Sequence, residues 1–114
     1  MQIRIINLEE GMPTIKDAKQ MLEIALKNAK SNKIKILKLI HGYGSSGNGG
    51  KIRVHILKLL NEKKTQNIIK DFITGDKWSI FNEPCRRAID KCPELSKDPD
   101  LSKFNTGITI VIID

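Results

Sequence analysis

The residues best suited to chemistry lie in one glycine-rich segment, residues 41–53, which reads HGYGSSGNGGKIR. Glycine lets the backbone adopt positive φ and lets a ligand approach the main chain. The segment leads into an amphipathic run, and the first N–H groups of a helix attract anions. Lys51 and Arg53 add full positive charges. The pattern predicts a phosphate-binding loop, although it matches neither the nucleotide P-loop nor the dinucleotide fingerprint. A connector without a ligand is the alternative.

Two carboxylates and an imidazole are expected beside this loop. Glu9 and Glu10 follow one Ile-rich run, and His41 follows the next apolar run. If both runs are parallel strands, they end at the same edge of the sheet, where open α/β sheets bind ligands. His41 could then donate a hydrogen bond to a phosphate or act as a general acid or base. The alternative is that His41 caps local backbone and the glutamates are solvated turn residues.

The spacing of apolar residues predicts the elements that position these groups. The predicted strands are 2–8, 33–40, 67–73 and 108–113, with helices over about 15–31 and 51–63. Thr14 stands where the N-cap of the first helix is expected, with Asp17 three residues later as its capping-box partner. The order β-α-β-α-β-β requires a parallel crossover between the first two strands. It predicts an α/β fold of the α+β type: a two-layer sandwich with a mixed four-stranded sheet.

Three residues of the second predicted helix could extend the anion-binding surface. Lys51, His55 and Lys58 fall on one stripe beside the apolar face at 100° per residue. Such a stripe could follow a nucleic-acid backbone away from the glycine loop. A solvated helix face is the alternative, and His55 borders the predicted core.

About thirty residues, 74–106, form a predicted insertion before the last strand. Pro84 and Pro93 bracket a short helix over 83–92, so the insertion is either ordered or a functional flap. Trp78 and Phe81 could stack on bases or seat the insertion on the core.

Cys85 and Cys92 are seven residues apart in this insertion, with no further Cys or His nearby. Metal sites rarely use that arrangement, so both are interpreted as packing residues.

Length and composition exclude several classes of protein. The chain has 114 residues, 39% of them hydrophobic and 29% charged, which fits one globular domain over 1–114 and not a disordered tail. No apolar run approaches the ~20 residues of a bilayer span. Arg4 and Asn7 interrupt the opening segment, unlike a signal peptide. We therefore expect a cytoplasmic protein with reduced cysteines and no membrane partner.

The charge balance suggests a polyanionic partner. The net charge is +7, and residues 1–70 carry 14 basic and 5 acidic groups, whereas residues 71–114 carry 6 and 8. A basic excess in one part of the chain favours DNA or RNA binding through release of counterions. The alternative is that the lysines serve only solubility.

The order of elements and the glycine loop together resemble the small MutS-related (Smr) domain. The resemblance covers nearly the whole chain. It depends on His41-Gly42-Tyr43-Gly44, similar to the family's HGxG motif, on the basic helix, and on the ending NTGITIV over 105–111. It implies a fold like the C-terminal domain of bacterial translation initiation factor 3. It also implies nucleic-acid binding and nicking or endonuclease activity, often assisted by a divalent metal.

The chain departs from the family where an LDxH motif usually ends the first strand. Leu8-Glu9-Glu10-Gly11 stands there, which keeps a leucine and a carboxylate but no histidine. Glu9 and His41 are the expected catalytic pair if the domain cleaves, with Mg²⁺ or Mn²⁺ as the implied cofactor. The expected nucleic-acid-binding residues are Gly42, Tyr43, Gly44, Gly47, Gly49, Gly50, Lys51, Arg53 and Lys58.

Two other functions remain open at this point. One is a non-catalytic module that docks on structured RNA or the ribosome. The other is a protein-interaction adaptor that uses the acidic insertion as its contact surface. The oligomeric state is left open.

Overall fold

Four strands form one mixed sheet in the computed structural model, which describes residues 2–11, 13–42 and 49–114. The strands are β1 (Ile3–Asn7), β2 (Ile36–Ile40), β3 (Asp71–Thr74) and β4 (Ile108–Ile112), in the spatial order β1-β2-β4-β3. β1 and β2 are parallel, and β4 is antiparallel to both of its neighbours. The predicted α+β fold with a mixed four-stranded sheet is confirmed.

Two helices cover one face of the sheet. They are α1 (Ile15–Ser31) and α2 (Gly49–Thr65), and Thr14 and Asp17 make both hydrogen bonds of the predicted capping box. Buried apolar residues of both helices pack with Leu37 and Leu39 of β2 and with Val111 of β4. An ion pair of 2.6 Å between Lys63 and Glu23 joins the two helices.

The insertion covers β2, β3 and β4 on the opposite face of the sheet, whereas Ile5 of β1 is 61% exposed on that face. It contains α3 (Glu83–Lys91) and two short 3₁₀ turns, Gly75–Lys77 and Pro93–Lys97. A second apolar cluster joins the insertion to the sheet, and its members are Ile36, Ile73, Trp78, Cys85, Ala88, Cys92, Leu95, Ile108, Ile110 and Ile112. Trp78 is therefore a core residue. Both cysteines are free and buried, as predicted for packing residues, and burial raises the pKa of the Cys85 thiol.

A charged lysine lies at the centre of this second interface. Lys38 of β2 is 5% exposed, and its ammonium group contacts Asp98 at 2.7 Å and Asp100 at 2.5 Å. Asp98 also accepts a hydrogen bond from the Trp78 indole at 3.0 Å, and Asp100 accepts one from Asn105 at 3.0 Å. The polar groups are thus paired, as burial of charge requires, and they fix the insertion to the central strand.

β2 and β3 begin later than the sequence analysis predicted, for one shared reason. Lys33 and Asn67, where the predicted strands start, adopt left-handed φ values of 56° and 60° after α1 and α2. The next residue donates its N–H to a helix carbonyl in each case, Ile34 to Ala29 and Ile68 to Lys63. These are Schellman motifs, so the first predicted strand residues serve as helix caps.

Candidate nucleic-acid interface

Three of the predicted site residues, Glu9, His41 and Gly42, lie at one rim of the sheet, called here the carboxyl edge. It is the edge at which β1, β2 and β3 end and β4 begins, as the pairing of Asn7 with Ile40 and of Ile40 with Ile108 requires. Glu9, His41 and the turn before β4 therefore lie at the same edge.

Glu9 is positioned by the turn that follows β1. Leu8 is buried and donates its N–H to Ile40 at 2.7 Å, which continues the parallel ladder. The Glu9 N–H then donates to the Asn7 side-chain oxygen at 2.9 Å, an arrangement that reverses the chain. Glu9 itself is exposed.

The Glu9 carboxylate lies against Gly42 at the start of the glycine loop. A Cβ on Gly42 would displace this carboxylate, and the backbone there has a φ of +77°. Glycine adopts that backbone without strain and leaves the carboxylate in place. The first glycine of the HGxG-like motif thus brings a carboxylate to the start of the glycine loop.

The turn over residues 105–107, called here the β4 entry turn, joins three elements at the carboxyl edge. The Gly107 carbonyl accepts the N–H groups of His41 and Gly42, each at 3.0 Å. The Thr106 carbonyl accepts a hydrogen bond from Arg53 Nε at 3.1 Å. The end of β2, the first turns of α2 and the start of β4 are therefore held together.

His41 is fully buried, with both ring nitrogens engaged. Nδ1 lies 2.9 Å from the Gly42 carbonyl oxygen, and Nε2 lies 2.8 Å from Thr109 Oγ1. A carbonyl can only accept, so Nδ1 carries the proton and Nε2 accepts from the Thr109 hydroxyl. In this geometry His41 fixes the backbone of Gly42 and does not face solvent.

The surroundings of His41 keep its imidazole neutral. Burial lowers the pKa of His41 below its ordinary value of 6.5, and the nearby Arg53 charge acts in the same direction. The hydrogen bond to the Gly42 carbonyl opposes these effects but does not outweigh them. A neutral ring is also what the hydrogen bond from Thr109 needs.

The lowered pKa of His41 predicts a loss of stability in mild acid. Well above pH 6.5 the His41 ring is neutral in both the folded and the unfolded protein, so its contribution to the free energy of unfolding is complete. As pH falls from 6.5 towards the folded pKa, the unfolded chain takes up a proton that the native protein does not, so the free energy of unfolding falls. We expect urea unfolding between pH 7 and 5 to show this loss in the wild type, and His41→Gln to lack that part of it.

The chain offers a matched control in its second histidine, His55, which is exposed on α2. His55→Gln should keep the acid-induced loss. An NMR titration of the wild-type His41 ring with a midpoint at or above 6.5 would contradict the prediction, whatever the stability of the variants.

The start of α2 supplies cations to the carboxyl edge. Gly50 and Arg53 are half-buried, Lys51 and Lys58 are exposed, and the first turn contains no acidic residue. Lys51, His55 and Lys58 are all exposed on α2, so His55 is not a core residue. Among the other predicted site residues, Gly49 is the first residue of α2, and Tyr43, Gly44 and Gly47 lie outside the described residues.

The sequence analysis gave no role to the residues of and around the β4 entry turn. Thr109 holds His41, Gly107 holds the end of β2, and Asn105 accepts the Gly107 N–H at 2.9 Å. The available signal was the polar pair Asn105-Thr106 immediately before an otherwise apolar strand, with Thr109 as a lone hydroxyl inside it.

Much of the positive charge lies at the opposite edge of the sheet. Lys30, Lys33 and Lys35 line one hollow there, and Lys70, Arg87 and Lys91 line another. Burial together with neighbouring Lys70 lowers the pKa of Lys91, which reflects this crowding of like charges. Net charge alone therefore does not select the carboxyl edge as the binding surface.

Comparisons with known proteins place the fold. No family model matches the chain, and no curated protein matches it. Among solved structures, the Smr domain of Thermus thermophilus MutS2 is similar over 100% of this chain and 99% of that one, with a TM-score of 0.58 and 18% sequence identity. The chain therefore has an Smr-like fold, and the resemblance seen in the sequence is confirmed at the level of fold. No helix in the described part of the chain is long and apolar enough to cross a membrane.

Proposed function

We propose that this Smr-like domain binds nucleic acid by gripping its phosphate backbone at the carboxyl edge. The observation that supports this most directly is the meeting of Gly42, the start of α2 and Arg53 around the β4 entry turn. Backbone N–H groups at a helix start and nearby guanidinium and ammonium groups are what a phosphate needs. The similarity to an Smr domain supports the same class of ligand.

The proposed contacts extend from the glycine loop along α2. Gly50 follows the loop, Lys51 and Lys58 present exposed ammonium groups on α2, and Arg53 lies between α2 and the β4 entry turn. Gly42 is buried and donates its N–H to Gly107, so in this proposal it shapes the start of the loop. Tyr43, Gly44 and Gly47 remain proposed contacts from the sequence. These groups recognise phosphates and not bases, so the proposal predicts binding with little sequence preference.

Salt dependence tests this proposal. The variant Lys51→Glu/Lys58→Glu should weaken binding to DNA and RNA and make the slope of log affinity against log salt shallower by about one per lysine. Fluorescence anisotropy with labelled oligonucleotides at salt concentrations between about 50 and 300 mM measures the slope. Over this range the Debye length falls from about 14 Å to about 6 Å.

A control variant at the opposite edge separates local contacts from net charge. Lys30→Glu/Lys33→Glu changes the total charge by the same amount, and both residues are exposed. We expect it to retain most of the slope. If it loses as much slope as the α2 variant, or if wild-type binding does not depend on salt, the carboxyl edge is not the nucleic-acid interface.

A second candidate function is endonuclease activity at the same edge. The observation that favours it is the exposed Glu9 carboxylate held against Gly42, directly beside the proposed phosphate site. Glu9 would act as a general base that takes a proton from the water attacking the scissile phosphate. We propose His41 as a positioning residue for this reaction, because it holds Gly42 and is enclosed.

The family resemblance implies a divalent metal, which the described residues do not fit on their own. Within residues 2–11, 13–42 and 49–114, no three His, Cys, Asp or Glu side chains gather in a way that could hold an ion. Those residues do not form a metal site by themselves, and the proposed roles of Glu9 and His41 do not pass through a metal.

The adaptor alternative has less support than nucleic-acid binding. Two carboxylates of the insertion, Asp98 and Asp100, contact Lys38 in the interior of the fold. Residues 74–106 carry six acidic and six basic groups, so with these two carboxylates turned inward the surface of the insertion is not acidic. Docking on structured RNA or a ribosome would use the same proposed phosphate contacts.

A further inference from the structure

Two phenylalanines of the insertion are exposed, although the neighbouring tryptophan is fully buried. Phe81 is 83% exposed and Phe104 is 65% exposed, whereas Trp78 is 0% exposed. The chain has three phenylalanines in all. Trp78 therefore packs the insertion against the sheet, whereas the two phenylalanine rings remain in solvent. Large apolar side chains are usually buried.

Both rings belong to segments that meet at the turn after β3. The segment of Phe81 folds back on this turn, because Asn82 donates to the Lys77 carbonyl at 3.0 Å. The segment of Phe104 is held at the same turn, because Ser102 donates its N–H to the Trp78 carbonyl at 2.8 Å.

Phe104 is also close in sequence to the proposed phosphate contacts. Thr106, two residues later, accepts the hydrogen bond from Arg53 at 3.1 Å. Two residues of chain span at most ~7 Å. A strand whose phosphate lies near Arg53 would therefore bring its adjacent bases within reach of Phe104.

The backbone at Phe104 supports a functional interpretation. Phe104 has a φ of 56° and Ser102 a φ of 62°, both in the left-handed region. A bulky residue rarely adopts this conformation, and such strain is concentrated at functional sites. Core packing does not account for it here, because the Phe104 ring is mostly exposed. Asn105, tied to Asp100 at 3.0 Å, holds the adjoining backbone in place.

Cations lie on the segments that carry the two rings. Lys77, Arg86 and Lys103 are exposed there, together with the carboxylates of Asp76 and Glu83. Arg86 donates to the Ile80 carbonyl at 2.8 Å beside Phe81. Exposed aromatic rings among cations are the features by which proteins bind single-stranded nucleic acid: the cations follow the backbone and the rings stack on bases.

We propose that Phe81 and Phe104 form a base-stacking surface that makes single-stranded or unpaired nucleic acid the preferred ligand of this domain. The inference rests on the proposed function and adds the class of substrate. A paired duplex hides the faces of its bases, so it can use the phosphate contacts but not the rings. Trp78, which the sequence left as a stacking candidate, is excluded by its burial.

The test compares a single-stranded oligonucleotide with a blunt duplex of the same sequence, using wild-type protein and the variants Phe81→Ala, Phe104→Ala and the double variant. We expect each substitution to weaken single-strand binding about 5- to 100-fold and duplex binding less than twofold. A 2-aminopurine base in the oligonucleotide should show quenching by the wild type that is lost in the double variant.

Conservative variants distinguish stacking from an apolar contact. Phe104→Tyr should keep the single-strand affinity, and Phe104→Leu should lose it. Ile24→Ala is the control for loss of an exposed apolar side chain elsewhere, since Ile24 is 52% exposed on α1. These sites are exposed, so circular dichroism should show unchanged folding.

The outcomes separate this inference from the proposed function. Equal single-strand affinity in the wild type and the double variant overturns the stacking surface, and so does full affinity in Phe104→Leu. If binding still depends on salt in that case, the proposed function stands and the exposed rings serve another partner, such as a protein. If wild-type protein binds neither oligonucleotide, both the proposed function and this inference fail.

Discussion

Lys38→Ala should lower the free energy of unfolding by about 3–5 kcal/mol, the usual cost of removing one partner from a buried ion pair. The substitution leaves Asp98 and Asp100 facing an interior position without their cation, and their side chains are only 10% and 25% exposed. Urea unfolding at pH 7, followed by circular dichroism, measures the loss. Lys27→Ala, at an exposed position of α1, should change the same quantity by less than about 0.5 kcal/mol.

A triple variant tests whether the loss comes from the stranded carboxylates. Lys38→Met with Asp98→Asn and Asp100→Asn removes all three charges and should regain a large part of the stability. A Lys38→Ala protein as stable as the wild type, or a triple variant less stable than Lys38→Ala, would contradict a buried charge network.

The same network sets the two pH windows in which its stabilisation is lost. Burial alone would lower the pKa of Lys38, but the hydrogen bonds from its ammonium group to Asp100 and Asp98 outweigh burial and raise the pKa above 10.5. This stabilisation is complete below 10.5 and is lost as pH rises through the folded pKa. Asn105 and Lys38 lower the pKa of Asp100 below 3.8, so its contribution is complete above 3.8 and is lost as pH falls through the folded value.

Glu9→Gln should abolish any cleavage while leaving nucleic-acid binding in place, because Glu9 is the exposed carboxylate beside the proposed phosphate site. Gly42→Ala should have the same effect on cleavage, since the new Cβ forces the carboxylate away. Incubation with supercoiled DNA and with structured RNA, with and without Mg²⁺ or Mn²⁺, reports binding and scission together.

Gly11 provides the control for the backbone cost of this substitution. Its φ of +77° equals that of Gly42, but nothing lies within 4 Å of an added Cβ. The Glu9 side chain is exposed and can rotate, so both alanine variants should lose about 1–2 kcal/mol of stability from the left-handed backbone. Only Gly42→Ala should lose cleavage. Cleavage that persists in Glu9→Gln would remove Glu9 from the mechanism, and equal cleavage in the two alanine variants would remove the Glu9–Gly42 contact from it.

The elements of the fold could be predicted because their signals are local. The capping box at Thr14, the apolar period of α1 and the two prolines around α3 each act within a few residues of chain. The predicted starts of β2 and β3 were too early because Lys33 and Asn67 adopt left-handed conformations that end the preceding helices. A lysine gives no sequence signal for this conformation, which depends on the helix before it.

The candidate site could be predicted only in part, because its contacts join distant segments. The closeness of Glu9, His41 and Gly42 followed from parallel strand order. The burial of His41 did not, since it depends on Thr109, 68 residues away along the chain. The exposure of Phe81 beside a buried Trp78 likewise depends on how the insertion packs, and no local pattern distinguishes the two.

A series of hydrogen bonds connects Lys38 with Gly42 and limits where insertions and deletions can be accommodated. Asp100, Asn105 and Gly107 are linked in series by hydrogen bonds, and Gly107 accepts from Gly42. A residue gained or lost between Asp98 and Gly107 would break that series and shift the carboxyl edge. Insertions and deletions in related sequences should therefore fall before Asp98, and the spacing from the paired aspartates to the final strand should stay constant.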